Sequence, residues 1–248
     1  MLKAILCFII LFTLTACGTV NTVDPPLPVI VTEESDLKET NYIDTVTFFG
    51  ESTTYHLKSR GVLSGGKNTL QVWGPKSGTL MLDPAINDCR IIYPETNEEI
   101  SLEEALKRKR PETMLLTFGL NGATNFIARG DPYFKYCYQK LIDTIKKASP
   151  QTRIIINSCF PVAKNMDMSR YTIDSQVLNS YIDTLNKWAK EIAHTNNLQY
   201  TDSASVIKDE QGYLDARYQV DDGYHLNTEA YRLILKYLNE NIQTNKEN

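Results

Sequence analysis

Apolar positions follow two periods along the chain, and the two periods take turns. Thr45-Val46-Thr47-Phe48-Phe49, residues 69–73, residues 114–118, Arg153-Ile154-Ile155-Ile156-Asn157 and residues 198–201 are short runs rich in β-branched or aromatic side chains. Bounded by turn residues, such runs read as buried strands. Between them the spacing becomes helical. A helical stretch is expected over about 52–58, and Phe134, Tyr138, Leu141 and Ile145 share one face behind an Asp131-Pro132 start. Val177, Leu178, Tyr181, Leu185, Trp188 and Ile192 form a second face, and Tyr231, Ile234, Tyr237 and Leu238 a third within a helix over 228–241. Apolar strands alternating with amphipathic helices predict a three-layer α/β/α sandwich around a mainly parallel sheet of about five strands. Residues 63–93, with Ile91-Ile92-Tyr93, predict a hairpin inserted between the second strand and the next helix, while residues 94–104 follow no strict alternation.

The first residues obey another pattern. Met1-Leu2-Lys3 is followed by an almost wholly apolar run over 4–14, shorter than the roughly 20 residues that span a bilayer and of signal-peptide length. The run ends in Leu14-Thr15-Ala16-Cys17, which resembles the lipobox of bacterial lipoproteins. The resemblance implies cleavage before Cys17, acylation of its thiol and a membrane anchor facing out of the cytoplasm. Residues 17–42, rich in Thr, Pro and Glu, cannot bury a core and read as a tether. The expected organisation is therefore a signal over 1–16, a lipidated linker over 17–42 and one folded domain over 43–248.

Composition narrows the chemistry. With 42% hydrophobic and 23% charged residues among 248, the chain can bury an ordinary core. A net charge of −4 argues against a nucleic-acid partner, which needs clustered cations. The one basic run, Lys107-Arg108-Lys109-Arg110, ends a predicted helix, where it complements the terminal carbonyls. Cys89, Cys137 and Cys159 are too few to frame disulfides, and Cys137 and Cys159 sit in apolar-periodic segments as buried thiols. Neither metal-ligand spacing nor a phosphate-cradling loop is present in the sequence, so no metal or cofactor is expected.

In a doubly wound sheet, ligands gather outside the carboxyl ends of the strands. Three post-strand segments carry matching chemistry: Gly50-Glu51-Ser52-Thr53-Thr54, Gly119-Leu120-Asn121-Gly122, and Asp222-Gly223-Tyr224-His225 before the last helix. A serine nucleophile needs a base, and the base needs an orienting partner. His225 can be the base and Asp222 its partner. Asn121 and the Ser52 backbone N–H are natural donors to an oxyanion. Taken singly, Ser52 reads equally as a helix N-cap, Asn121 and Asp222-Gly223 as turn formers, and the histidine as a surface residue.

Together, Gly50-Glu51-Ser52, Gly119-Leu120-Asn121 and Asp222-Gly223-Tyr224-His225 resemble the first, third and fifth blocks of the SGNH/GDSL hydrolase superfamily, in order, across about residues 45–238. The resemblance implies a flavodoxin-like fold and a serine esterase, with Ser52 as nucleophile, His225 as base, Asp222 as its partner and Asn121 as oxyanion donor. It implies a further glycine donor at Gly78, with Gly74 as the competing choice. The implied partner is an ester substrate, such as an acylated carbohydrate. Glu51 replaces the usual Asp of the first block, and Gly122 the usual Asp after the third-block Asn. Trp73 and Tyr224 flank the expected site as aromatic platforms, with core packing the default reading of Trp73 and a pocket role its alternative. His56, one turn beyond Ser52, could line the pocket but reads rather as packed or exposed, and His194 reads as a helix-end residue near terminal carbonyls. Glycan acyl transfer and non-catalytic binding on the same fold are the alternatives.

The lipobox-like pattern generates a first prediction. Cys17→Ser should leave the protein unprocessed or release it from membranes, and wild-type protein should fractionate with membranes with Cys17 at its N-terminus. Intact upstream sequence on soluble wild-type protein, seen by mass spectrometry, would refute the anchor.

Overall fold

The runs around Phe48, Leu115 and Ile155 build the centre of a parallel sheet. The protein is described by a computed structural model over residues 41–169 and 171–242. The expected signal segment, Cys17 and the linker up to residue 40 lie outside the described residues. The strands are β1 (Val46–Gly50), β2 (Val72–Trp73), β3 (Arg90–Ile92), β4 (Glu99–Ser101), β5 (Thr113–Thr117), β6 (Arg153–Asn157) and β7 (Gln199–Thr201). Five of them form a parallel sheet in the order β2-β1-β5-β6-β7, and β3 pairs antiparallel with β4 apart from it. Counting only strands of the large sheet, this is the 2-1-3-4-5 order of flavodoxin-like folds.

The helices are α1 (Ser52–Ser59), α2 (Leu102–Lys109), α3 (Ala123–Arg129), α4 (Asp131–Ala148), α5 (Ser175–Thr195) and α6 (Thr228–Asn241). Successive side chains of a strand point to opposite faces, and the core divides accordingly. Phe48, Leu115 and Ile155 pack with Leu57 of α1 and Tyr231, Ile234 and Leu238 of α6. Phe49, Leu116 and Ile156 pack with Leu106, Phe134, Tyr138, Leu141, Leu178 and Leu185 of α2, α4 and α5. Each such side chain contributes about 1.5–3 kcal/mol on full burial, so both faces of the sheet must be covered. The expected sandwich is the one observed.

Local differences have local causes. β2 has two residues where a longer run was expected, because Thr69 and Gln71 turn to local bonds: Gln71 reaches the carbonyls of Ile43 and Val46 at 2.7 and 3.0 Å. The hairpin lies over 90–101, later than expected, and leads directly into α2, whose N-cap Ser101 accepts from the Glu104 N–H. Helix α3 was not foreseen; it is seven residues long and carries no extended apolar stripe. Asp131 is the first residue of α4 and Gly130 its cap. The basic run ends α2 as expected and pairs with Glu95, Glu98, Glu103 and Glu104 on the surface. Cys137 and Cys159 are buried and Cys89 half-buried, all three free.

The strand ends finish level. Gly50 lies opposite Thr117, Thr117 opposite Asn157, and Asn157 opposite Thr201. Asn157 donates to the Thr117 hydroxyl at 3.2 Å and accepts from Ser203 at 2.7 Å, closing a buried polar seam below the loops. A Cβ on Gly50 would stand 2.4 Å from both the Thr117 carbonyl oxygen and Thr54 Oγ1. Gly50→Ala should therefore destabilise the fold by about 1–3 kcal/mol through overpacking, read as a lowered urea midpoint with an unchanged denaturant slope. An unaltered midpoint would mean that β1 and β5 do not approach as closely as described.

Candidate active site

The order of the sheet reverses between β1 and β5, and the loops after these two strands diverge from that point. A crevice at the carboxyl edge is the consequence. Ser52 opens α1 directly after β1, and its N–H belongs to the first turn, which has no intrahelical carbonyl to bond. The segment ending in His225 runs from the far side of the chain to the same edge. Ser52 Oγ lies 3.1 Å from His225 Nε2, and His225 Nδ1 lies 2.6 Å from Asp222 Oδ2. Residues separated by 173 positions thus form one hydrogen-bonded line.

The His225 ring is held by its own short segment. Asp222 Oδ1 accepts from the backbone N–H groups of Tyr224 and His225 at 3.0 and 2.8 Å, while Oδ2 meets the ring. Burial pushes the Asp222 carboxyl up, but those N–H groups and the His225 ring outweigh it and hold the group below the usual carboxylate range. Gly223 makes the turn at φ 78°, and a Cβ there would meet Met166 Cα at 2.7 Å. Only glycine passes that point without displacing backbone.

Glu51 does more than lengthen the usual side chain. It is 3% exposed, and its N–H donates to the Thr117 carbonyl. Its carboxyl accepts from the N–H of Gly119 at 2.9 Å and of Asn121 at 3.1 Å. The side chain therefore fastens the loop after β5 to the start of α1. Burial pushes the Glu51 carboxyl up to about 8, against the N–H groups of Gly119, Asn121 and Leu120, which pull it down. The sequence contained the signal in part: a carboxylate directly after a fully apolar strand end must find donors.

Other expected residues stand differently. Asn121 reaches the edge, but its amide donates to Thr79 Oγ1 at 3.0 Å and the Leu80 carbonyl at 2.8 Å. Both amide hydrogens tie the post-β5 loop to the segment after β2. The Gly78 N–H closes a turn on the Pro75 carbonyl at 3.0 Å, so it is not presented as an oxyanion donor. Gly74 directly follows β2, and a Cβ there would touch nothing within 4 Å. Trp73 is not a platform for substrate: it is 2% exposed and packs edge-on against Tyr93 in the core. Its strand position points it inward with Phe49. Tyr224 is half-buried, stands 4.1 Å ring to ring from His225, and lines a cavity of about 250 Å³ with Leu120, Asn121, Met166 and Leu178. His194 is exposed in the last turn of α5. His56 packs against the site, 4.4 Å ring to ring from His225. Among the described residues no cluster of His, Cys, Asp and Glu is arranged to hold a metal.

The family model described as GDSL-like Lipase/Acylhydrolase matches residues 48–233. Solved structures of similar fold include a native aryl esterase of M. smegmatis, 15% identical over 80% of this chain and 97% of that one, with a TM-score of 0.52. A G-D-S-L family protein of Desulfitobacterium hafniense DCB-2 is 14% identical over 79% of this chain and 97% of that one, also at 0.52. No curated protein matches the sequence.

Glu51 generates the next prediction. Glutamine offers one acceptor oxygen where the carboxyl offers two, so Glu51→Gln should leave a buried N–H unpaired, at a cost of about 1–3 kcal/mol. Folding raises this group from 4.5 to about 8. Between those values the folded state holds a proton that the unfolded chain has released, so stability falls as pH rises through the window. Glu51→Gln should lose that slope. Urea unfolding of both proteins at pH 5 and pH 8 checks it; equal pH dependence would contradict the assignment.

Proposed function

Since the chain belongs to the GDSL-like Lipase/Acylhydrolase family and is a serine hydrolase acting on esters, we propose that Ser52, His225 and Asp222 are its nucleophile, base and orienting carboxylate. The observation that carries this is the continuous line from Ser52 Oγ through the His225 ring to Asp222. His225 takes the Ser52 proton as Oγ attacks the ester carbonyl, and returns it to the leaving alcohol. Asp222 bonds Nδ1, which places the vacant lone pair on Nε2 toward the serine and stabilises the imidazolium that forms. Water then attacks the acyl-enzyme with His225 again as base. The developing oxyanion is received by the Ser52 N–H and by the Asn121 amide once substrate replaces Thr79 and Leu80 as its acceptors. Gly74 supplies the remaining N–H in preference to Gly78.

The substrate we infer is an ester of a neutral, hydroxyl-rich alcohol, with an O-acetyl group on a glycan as the fitting case. A broad cleft of about 770 Å³ has Asn121 in its wall and is lined by Ser77, Thr79, Asp83 and Asp88. Hydroxyls and carboxylates accept hydrogen bonds from sugar hydroxyls, and the two carboxylates outnumber the one cation of the lining, Arg90, which disfavours anionic headgroups. The smaller cavity beside Tyr224, also bounded by Asn121, has room for the acyl group. The enzyme works outside the cytoplasm on a lipid anchor at Cys17, a reading that rests on Leu14-Thr15-Ala16-Cys17.

A fluorophosphonate probe should label the full chain, and Ser52→Ala should abolish the labelling. Ser52→Ala and His225→Ala should each lower kcat on p-nitrophenyl acetate by on the order of 10,000-fold or more. Folded wild-type protein that neither labels nor turns over would refute the assignment. Product analysis on an acetylated glycan, with and without an unacetylated acceptor, should show free acetate; acetyl transfer to the acceptor would make the chain a transferase instead.

A further inference from the structure

Ser52 and His56 are four residues apart on α1 and so share one side of the helix. The His225 ring lies against that side. Its Nδ1 is bonded by Asp222 and its Nε2 by Ser52, while the His56 ring packs against it at 4.4 Å between centroids with planes tilted 53°. Tyr224 packs against it at 4.1 Å.

The hydrogen bond to Ser52 does not persist through the reaction. When Oγ is esterified it has no proton, and Nε2 must turn to water. From then until deacylation His225 is oriented by Asp222 and by the rings against it. We propose that His56 is a positioning residue that backs the His225 imidazole and keeps it in place while Ser52 is acylated. The inference rests on the reading of Ser52 and His225 given above.

Two features of His56 fit this role. Its Nδ1 is buried with no hydrogen-bond partner, so packing rather than a bond sets the ring. Burial, reinforced by the neighbouring His225 and Arg60 and opposed by Asp222, lowers its pKa to about 4. The ring is thus uncharged at neutral pH and adds no repulsion when His225 becomes an imidazolium.

Stopped-flow turnover of p-nitrophenyl acetate by the full chain separates the half-reactions, with active sites counted by the fluorophosphonate. In His56→Ala, deacylation should slow by up to about 100-fold, the scale of a small misplacement of a catalytic group. Acylation should fall less. Nitrophenol should then appear as a pronounced burst, and kcat and KM should drop together because acyl-enzyme accumulates. His56→Leu should behave alike, which covers a poorly folding alanine variant. His56→Phe, which keeps an aromatic ring against His225 while removing both ring nitrogens, should restore most of the rate. Normal deacylation per titrated site in His56→Ala or His56→Leu would overturn the proposal, as would equal slowing of both half-reactions or failure of His56→Phe to rescue. Wild-type protein that does not label at all would instead overturn the assignment of Ser52, and this proposal with it.

Discussion

A buried carboxyl cannot be left without donors, and in this fold that constraint assembles the edge of the sheet. Glu51 follows the last residue of β1 and is nearly inaccessible to water. Its backbone N–H bonds the end of β5, and its side chain bonds the loop beyond. One residue therefore fixes the start of α1, with Ser52 at its first position, relative to Gly119 and Asn121. The parallel pairing of β1 with β5 brings the two loops to the same level. The carboxyl sets their separation.

The elements legible in the sequence were those whose burial is decided by their own pattern. β6 has the bounds its Ile-Ile-Ile run implies, because a central strand is apolar on both faces. α6 likewise follows its stripe from Thr228 to Asn241, with Asn227 as a capping side chain. Elements governed by long-range partners were less legible. β2 pairs only with β1 and is shortened by the side-chain bonds of Gln71; α3 is a single short turn-like helix between two glycines. The hairpin was displaced because its second strand shares residues with the approach to α2, which breaks the alternation.

Within the site the same distinction holds. That Ser52, His225 and Asp222 would meet was readable because a hydroxyl, an imidazole and a carboxylate stand in the loops at one edge of the sheet. Whether a donor is free is not a property of residue type. Gly78 has its N–H engaged by Pro75, and Asn121 has its amide engaged by Thr79 and Leu80, bonds made by a segment with no periodic pattern. Trp73 was misassigned because a strand end looks the same in sequence whether its side chain faces the crevice or the core. The place of His56 against His225 was not legible, because a ring contact across 169 positions leaves no local trace.

The two carboxyl groups of the site show how environment assigns roles. Both are partly or wholly removed from water, and both accept backbone N–H bonds. Asp222 is the more exposed, with 37% of its side chain accessible, and it also meets a ring that can carry a positive charge. Its balance falls on the anionic side. For Glu51, burial outweighs the N–H groups of Gly119, Asn121 and Leu120. Its balance is shifted toward the protonated form. Only one of the two then acts on His225 as a negative charge, and that one bonds Nδ1 directly. The two carboxyl groups at this edge are shifted in opposite directions by solvation and bonding partners, not by residue type.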